Sequence, residues 1–388
     1  MGGVERGFPS AEFEARIARA QAMMRTAELD ALVVTSPPNV RYVTGFASEF
    51  WESPTRPWFV VVPAEGQPVA VVPEIGRESF LATWLDDVRT WPAPRPEDDG
   101  VTLLAGVLQN LPRRFARIGW ELGRETVLRM PITDFNRLCG LLRGIECVDG
   151  SPVLWALRMV KSRREIERHR VICGLASDAF EAMPGRLALG MTERAAANTL
   201  RLDLAERGVD AVPFVAACSG LGGYSQIIAG SREVVLGDGA VLIMDLGATW
   251  DGYFCDFDRN FAFGSATDAA RHAYETVWRA VSVGIEAVRP GATAAELWGA
   301  MAAVLDLDEA GGMDVGRLGH GLGLQLTEPP SNRPDDATLL MPGMVMTIEP
   351  GLEYAPGKML VLEENVVVTE DGCELLTRRA PEVMPVIG

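Results

Sequence analysis

Five side chains between positions 245 and 363 are of the types, and have the spacing, of a site for two metal ions. They are Asp245, Asp256, His320, Glu349 and Glu363, in the segments MDLG, GYFCDFDRN, GHGLG, TIEPG and LEENVVVT. Four carboxylates and one imidazole suit divalent ions such as Mn²⁺, Fe²⁺, Co²⁺ or Zn²⁺ better than a thiolate site would. Two ions about 3.5–4 Å apart can activate water and hold a polarised carbonyl. The sequence therefore predicts two divalent ions and metal-assisted hydrolysis, or a chemistry derived from it.

The order and context of these motifs resemble the pita-bread superfamily, which includes prolidase, aminopeptidase P, methionine aminopeptidase and creatinase. Asp245 and Asp256 are eleven residues apart, as the resemblance requires. The superfamily's motifs for its histidine, fourth and fifth ligands match residues 319–323, 346–351 and 363–366. Five ordered motifs make this resemblance specific.

The resemblance also covers the first half of the chain. Residues 39–46, NVRYVTGF, are similar to a segment of the superfamily's first domain, and residues 157–165 look like its interdomain junction. It implies a smaller α/β creatinase-like N-terminal domain over residues 1–155 and an α+β pita-bread catalytic domain over residues 156–388. A chain of 388 residues is long enough for two such domains.

Local patterns agree with this division. Apolar periodicity predicts a helix over residues 10–29, and Ser162 and Thr293, each followed by Glu at the third position, predict helices that begin with a capping box. In the second domain we expect helices packed on one curved antiparallel sheet. Its predicted strands are residues 240–247, 252–263, 345–349 and 362–369.

The resemblance assigns roles to the predicted ligands. Glu349 would be both a ligand and the proton shuttle, because a Glu beside an activated water can take its proton and pass it to a leaving group. Glu363 would bridge the two ions, while its neighbour Glu364 should face away on a strand. His320 lies between glycines, which let the backbone approach a site closely. We predict Glu349 and His320 as the catalytic residues.

Other residues that attract attention have ordinary interpretations. His169 and His272, the remaining histidines, lie on charged helical segments and are expected to be exposed. Cys255 should point to the face opposite Asp256 and pack there. The six cysteines are scattered without a CxxC pair, which indicates reduced thiols.

The chain departs from the superfamily's proline-cleaving members, which carry further histidines around the substrate. Thr327 stands seven residues after His320, Gly316 stands four residues before it, and residues 219–230 contain no histidine. Val361 replaces an arginine often found two residues before the last ligand. We therefore expect weak or absent cleavage of Xaa-Pro dipeptides. The polar candidates for binding a substrate are Asp258, Thr327, Tyr224 and Gln226.

Asp258 has two interpretations. It lies two residues after Asp256, so both side chains should face the same way on a strand. It could hold a cationic substrate group or support a metal ligand, or it could pair with Arg259 or another cation.

The resemblance implies a dinuclear metal-dependent hydrolase similar to Xaa-Pro dipeptidase or aminopeptidase P, which cleaves an amide bond in a small peptide or amino-acid-derived substrate. The alternatives are a lyase of the dimethylsulfoniopropionate type, a hydrolase of a small betaine, guanidino or cyclic amide metabolite, and a non-enzymatic binding module. Gly247 stands where such lyases carry an additional Asp. The complete ligand set argues against a binding module.

Charge and hydropathy limit the partners. A net charge of −17 disfavours nucleic acids and anionic membranes. No apolar stretch reaches the ~20 residues of a membrane helix, and the N-terminus does not read as a secretory signal. We expect a cytoplasmic homodimer that acts on a small molecule or a dipeptide.

Overall fold

The computed structural model describes residues 4–53, 56–307 and 316–388. The chain divides into two compact units, Glu5–Arg158 and Met159–Gly388, and Val4 belongs to the second. The division falls a few residues after position 155, because the helix Ser151–Met159 continues the first unit.

The first unit is an α/β layer structure around one sheet. Its helices are α1 (Ser10–Thr26), α2 (Pro37–Thr44), α3 (Arg77–Leu81), α4 (Val101–Gln109), α5 (Ile132–Leu141) and α6 (Ser151–Met159), with 3₁₀ turns at Phe50–Glu52 and Glu74–Gly76. Its strands are β1 (Ala31–Val34), β2 (Phe59–Pro63), β3 (Val69–Pro73), β4 (Asp87–Trp91), β5 (Arg117–Trp120) and β6 (Glu146–Asp149). They are ordered β4-β3-β2-β1-β5-β6 in a mixed sheet.

The predicted amphipathic helix at the start of this unit is confirmed. Phe13, Ile17, Ala20 and Met24 form the buried face of α1. β1 and β2 are buried along their whole length, as expected for Val-rich strands with both faces covered.

The second unit is α+β. Its helices are α7 (Arg163–Ala182), α8 (Glu193–Glu206), α9 (Asp268–Ala287) and α10 (Ala294–Leu305), with a 3₁₀ turn at Met183–Gly185. Its strands are β7 (Ala211–Leu221), β8 (Ala240–Trp250), β9 (Tyr253–Phe263), β10 (His320–Gly321), β11 (Glu328–Ser331), β12 (Val345–Ile348), β13 (Gly351–Ala355), β14 (Lys358–Val361), β15 (Glu364–Val368), β16 (Cys373–Leu375) and β17 (Val386–Ile387). No helix of the described residues combines the length and apolar character that crossing a membrane requires.

Both predicted capping boxes are confirmed. The Ser162 hydroxyl accepts from the Glu165 amide at 3.3 Å, and the Glu165 carboxylate accepts from the Ser162 amide at 2.8 Å. Thr293 and Glu296 make the same reciprocal pair at the start of α10. These bonds satisfy helix amides that have no partner within the helix.

The strands of this unit form more than the one curved sheet expected from the sequence. One sheet has the order β17-β9-β8-β7, a second has β11-β10-β12-β15-β16, and β13 pairs with β14. A side chain joins the two larger sheets. The Asn365 carboxamide accepts from the Asp256 amide at 3.0 Å and donates to the Asp256 carbonyl. It therefore takes the place of a backbone ladder between β15 and β9.

Candidate metal centre

The two larger sheets of the second unit carry all five predicted ligands. Asp245 lies on β8 and Asp256 on β9. His320 begins β10, Glu349 directly follows β12, and Glu363 directly precedes β15. Because β10, β12 and β15 are neighbouring strands, His320, Glu349 and Glu363 lie near one another at the ends of these strands.

Their donor atoms approach one another closely. Ligand atoms of Asp256, His320 and Glu363 all lie within 4.8 Å of one another. His320 Nε2 is 3.5 Å from Asp256 Oδ2 and 4.0 Å from Glu349 Oε2. Asp245 lies close enough to the cluster that the charges of Asp256 and Glu349 add to the effect of burial in raising its pKa.

The cluster leaves buried oxygens without partners. Within the described residues, Asp245 Oδ1 and Glu363 Oε1 are buried and make no hydrogen bond. A buried carboxylate oxygen without a partner is costly, and a cation removes that cost. The donor chemistry and these orphaned oxygens fit divalent metal ions.

The pKa values of the carboxylates follow from burial and mutual repulsion. Burial raises the pKa of Asp245, Asp256 and Glu363 well above the usual range, and neighbouring carboxylates add to the rise for Asp245 and Glu363. Burial also raises the pKa of Glu349, to about 7, and the neighbouring His320 and Arg317 side chains oppose that rise. Without a cation, the folded protein therefore resists ionising these groups.

The backbone around His320 selects one tautomer. Its Nδ1 lies 2.9 Å from the Gly321 carbonyl oxygen, which can only accept, so Nδ1 carries the proton. The lone pair of Nε2 then faces the carboxylates, as a metal ligand requires. Gly319 has φ 122°, and a Cβ there would lie 2.3 Å from the Thr347 carbonyl oxygen. Only glycine fits this approach.

Glu363 and Glu364 have different environments. The Glu364 carboxylate lies 3.0 Å from Arg259 Nη2 and accepts from the Ala380 amide at 2.7 Å. Arg259 also donates to the Glu363 carbonyl at 3.1 Å. Arg259 thus neutralises Glu364 and supports the backbone that presents Glu363.

Tyr224 and Gln226, two of the four predicted substrate-binding residues, make hydrogen bonds within the protein. Tyr224 is 1% exposed, and its hydroxyl donates to Asn260 at 3.0 Å and accepts from the Val361 amide at 2.7 Å. Gln226 is half-buried, and its carbonyl oxygen accepts from the Ala229 amide at 2.7 Å. A direct role of either residue in substrate binding stays a prediction.

Asp258 lies next to the predicted ligands and is 1% exposed. It pairs directly with Asp245 across the β8–β9 ladder and accepts from Asn260 Nδ2 at 3.3 Å. The Arg259 side chain donates to the backbone carbonyl of Asp258 and forms its ion pair with Glu364. Burial, followed by the charge of Asp245, raises the pKa of Asp258 well above its usual range. This environment favours a role in support of Asp245 over contact with a cationic substrate.

Two features beside the centre were not identified from the sequence. Arg317 is half-buried, and its guanidinium donates to Thr327 Oγ1 at 3.1 Å. Gly247 pairs with Asp256 across the ladder, and a Cβ at position 247 would lie 2.5 Å from Leu326 Cδ1. The only available signal for Arg317 was its place three residues before His320, and for Leu326 there was none.

The expectation for His169 is wrong. The residue is fully buried in α7, its Nδ1 lies 2.8 Å from the Phe254 carbonyl oxygen, and its ring packs edge-on against Tyr253. Burial and the charge of Lys161 lower its pKa to about 3, so it is neutral. His169 has an arginine on each side in the sequence, and this charged pattern indicated an exposed helix position although the position is buried. His272 is exposed, as expected.

The fold and donor set described above are those of a two-domain metallohydrolase of the pita-bread class. The sequence model of metallopeptidase family M24 matches residues 167–370, and that of the creatinase/prolidase N-terminal domain matches residues 16–160. The chain belongs to metallopeptidase family M24.

Relatives are similar over nearly the whole chain. A probable dipeptidase PepE of Mycobacterium tuberculosis is 32% identical over 383 residues, which cover 95% of each chain. An Xaa-Pro dipeptidase of Lactobacillus delbrueckii is 27% identical and covers 91% of this chain and 96% of its own. The crystal structure of dipeptidase PepE from Mycobacterium ulcerans superposes with a TM-score of 0.84 at 30% identity, covering 98% of this chain and 99% of that one. The predicted fold class, family and hydrolase class are confirmed.

Proposed function

We propose that this protein is a dinuclear metallopeptidase that hydrolyses the amide bond of a short peptide. Two divalent ions, Mn²⁺, Co²⁺, Fe²⁺ or Zn²⁺, would be held by Asp245, Asp256, His320, Glu349 and Glu363. The observation that carries the proposal is the convergence of these donors with two buried oxygens that lack partners. When bound, the ions would supply carbonyl polarisation and a lower pKa for water.

Glu349 is the residue best placed to move protons. Its side chain is 22% exposed, whereas those of Asp256 and His320 are 8% and 5% exposed. A carboxylate that reaches both the cluster and solvent can take a proton at Oε2 from the attacking water and deliver it to the leaving amine. His320, which keeps its proton on Nδ1, presents Nε2 as an acceptor and does not compete for this role.

A short peptide is the substrate best supported by the surroundings of the centre. Phe214 and Leu326 both lie within reach of a side chain built at Gly247, which pairs with Asp256. They form an apolar wall beside the carboxylates, suited to an amino-acid side chain. The relatives named as dipeptidases support the same substrate class.

Particular residues bear on two alternative functions. An additional Asp at position 247, as in the lyase alternative, would collide with Leu326, so the lyase is disfavoured. A hydrolase of a small betaine, guanidino or cyclic amide metabolite is the second candidate. This candidate is favoured because the centre lacks the further histidines of the proline-cleaving members. His169 is buried on α7 and His272 is exposed on α9, so His320 is the imidazole of the centre.

The metal stoichiometry tests the proposal. After loading with Mn²⁺ or Co²⁺ and removal of free ions, elemental analysis should give about two ions per chain. Asp245→Asn should lower this number, whereas Asp268→Asn, a fully exposed control, should not. Less than about half an ion per chain in the folded wild-type protein would refute the dinuclear site.

A substrate panel then separates the two candidates. The loaded protein should hydrolyse dipeptides faster than it hydrolyses betaines, guanidino compounds or cyclic amides. The reverse order would favour the metabolite hydrolase. The cytoplasmic location and the homodimer stay predictions.

A further inference from the structure

Lys161 and Glu328 form a buried ion pair in the second unit. Lys161 Nζ lies 3.1 Å from Glu328 Oε2, and the two side chains are 2% and 1% exposed. Only two of the 36 basic residues of the chain are lysines, Lys161 and Lys358. Lysine places a compact charge on one carboxylate oxygen, whereas an arginine fork would bring five donors into the same closed space. Lysine is therefore the basic residue that suits this position.

Lys161 is fixed through its backbone and through its side chain. Its amide donates to the Gly343 carbonyl at 3.0 Å, and its ammonium donates to the Met159 carbonyl at 3.3 Å. Gly343 lies two residues before β12, the strand that Glu349 directly follows. The cation is thus attached to the segment that leads into a strand of the metal centre.

The Glu328 carboxylate closes the loop of residues 322–327, which joins β10 to β11. Its Oε1 accepts from the Gln325 amide at 3.1 Å. A Cβ at Gly323 would lie 2.4 Å from the same oxygen, so the carboxylate lies directly against the backbone of Gly323. The Gly323 carbonyl accepts from the Phe254 amide at 2.9 Å, at the start of β9. The loop is therefore held by one carboxylate and by the first residues of β9.

The same carboxylate residue is connected to His320. Glu328 pairs with Gly321 in the ladder between β10 and β11. The Gly321 carbonyl oxygen lies 2.9 Å from His320 Nδ1 and fixes the tautomer of the ring. Groups behind a ligand histidine set its orientation and its affinity for metal. The position of Glu328 therefore affects the direction in which Nε2 points.

The energetics of a buried ion pair favour such a role over general stabilisation. The cost of taking two charges out of water offsets most of their attraction, so replacing the pair by uncharged groups of similar size is often neutral. Separating the partners is costly, because each buried charge then lacks a partner. The pair between Lys161 and Glu328 therefore penalises other conformations of residues 322–327 more than it stabilises the fold.

We propose that the ion pair between Lys161 and Glu328 positions His320 for metal binding by fixing the loop of residues 322–327. Both are positioning residues, because neither is among the predicted ligands. The proposal rests on the proposed function, since its consequence is the affinity of the centre for metal. The competing explanation is that the pair only stabilises the second unit.

The test removes both charges and nearly keeps the side-chain sizes, in Lys161→Met/Glu328→Gln. Urea unfolding of the metal-free protein should give a midpoint close to that of the wild type. Hydrogen exchange of residues 320–328 should be at least about 10-fold faster, whereas exchange in β8 should not change. The affinity for Co²⁺, titrated through its visible absorption, should fall by about 10–100-fold. Arg170→Met/Glu374→Gln, which removes an exposed ion pair of the same unit, is the matched control.

Other outcomes have defined meanings. Equal acceleration of exchange in β8, or a lower urea midpoint with unchanged Co²⁺ affinity, would overturn the proposal and assign the pair to stability alone. Faster exchange of residues 320–328 with unchanged Co²⁺ affinity would separate the loop from His320 and would also overturn it. If the wild-type protein binds no Co²⁺, the proposed function fails, and the exchange of residues 320–328 in metal-free protein decides whether the pair fixes the loop. If the double variant does not fold, Lys161→Met takes its place with the same expected directions.

Discussion

Asp245 and Asp258 face each other directly across the antiparallel ladder between β8 and β9. Their side chains are 8% and 1% exposed, and Asp256 lies on the same face of β9. Directly opposed side chains have Cβ atoms about 4.5–5.5 Å apart, and like charges at that distance destabilise a sheet. The sheet that contains β8 and β9 therefore carries a face that favours bound cations over an empty state.

Removal of metal should make stability strongly dependent on pH. The pKa of Glu349 rises from 4.5 to about 7 on folding without metal. The folded state thus holds a proton that the unfolded state releases, so this stability is present below pH ~4.5 and lost as pH rises to about 7. Glu349 alone accounts for roughly 3 kcal/mol, and Asp245, Asp256 and Glu363 shift in the same direction.

Urea unfolding of chelator-treated protein at pH 5 and pH 8 measures this effect. Glu349→Gln, which cannot ionise, should show a weaker dependence. Metal-loaded protein should be more stable than metal-free protein at pH 8, because the ions replace the protons. A metal-free protein that is as stable at pH 8 as at pH 5 would contradict the prediction.

Glu349→Gln should preserve the fold and abolish turnover. Loss of a general acid–base typically lowers the rate by about 10²–10⁴-fold, and weaker metal binding adds to that. The measurement is kcat at saturating metal, with circular dichroism to confirm folding. Glu275→Gln, exposed on α9, is the matched control and should retain full activity. Near-native turnover by a folded, metal-loaded Glu349→Gln protein would remove Glu349 from the mechanism.

Cleavage of Xaa-Pro dipeptides should be weak. Thr327, Gly316 and residues 219–230 provide no imidazole, and each lost contact to a substrate or oxyanion can cost roughly 10²–10³-fold. A dipeptide panel with Mn²⁺ and Co²⁺ tests this, with non-proline dipeptides for comparison. A kcat/KM above about 10⁴ M⁻¹s⁻¹ for any Xaa-Pro dipeptide would restore plain prolidase specificity.

Gly247→Ala should lower the free energy of unfolding. Its Cβ would lie 2.5 Å from Leu326 Cδ1, and overpacking of this kind costs about 1–3 kcal/mol. Gly174→Ala is the matched control, because a Cβ there meets nothing within 4 Å and the site lies inside α7. It should stabilise by about 0.5–1 kcal/mol. Urea unfolding of both variants measures the difference, and an unaffected Gly247→Ala protein would show that Leu326 moves aside freely.

Local sequence signals predicted much of this molecule. The capping boxes at Ser162 and Thr293 depend on residues three positions apart, so they were visible without the fold. The ligand motifs could also be predicted from local sequence, because each donor lies in a short segment whose glycines or strand ends determine its geometry.

Features that depend on contacts between distant segments could not be predicted. The Asn365 side chain that joins β15 to β9 acts across 109 residues of sequence. His169 is buried because α7 packs on β9, although its neighbours in sequence are charged. Arg317 donates to Thr327 and lowers the pKa of Asp256 and Glu349, which lie on two other segments, and an arginine in a loop carries no such information by itself.

Because Glu363 and Glu364 are adjacent in sequence, the composition of the candidate metal centre depends on the register of β15. Glu364 pairs with Ile348 across the ladder and with Arg259 through its side chain, which leaves Glu363 beside Glu349. A slip of β15 by one residue would exchange the two acids and turn the donor of the centre toward the arginine. Ion binding would therefore stabilise the observed register of β15 on β12 relative to a register shifted by one residue. Bound metal would in this way favour the correct pairing of the two strands.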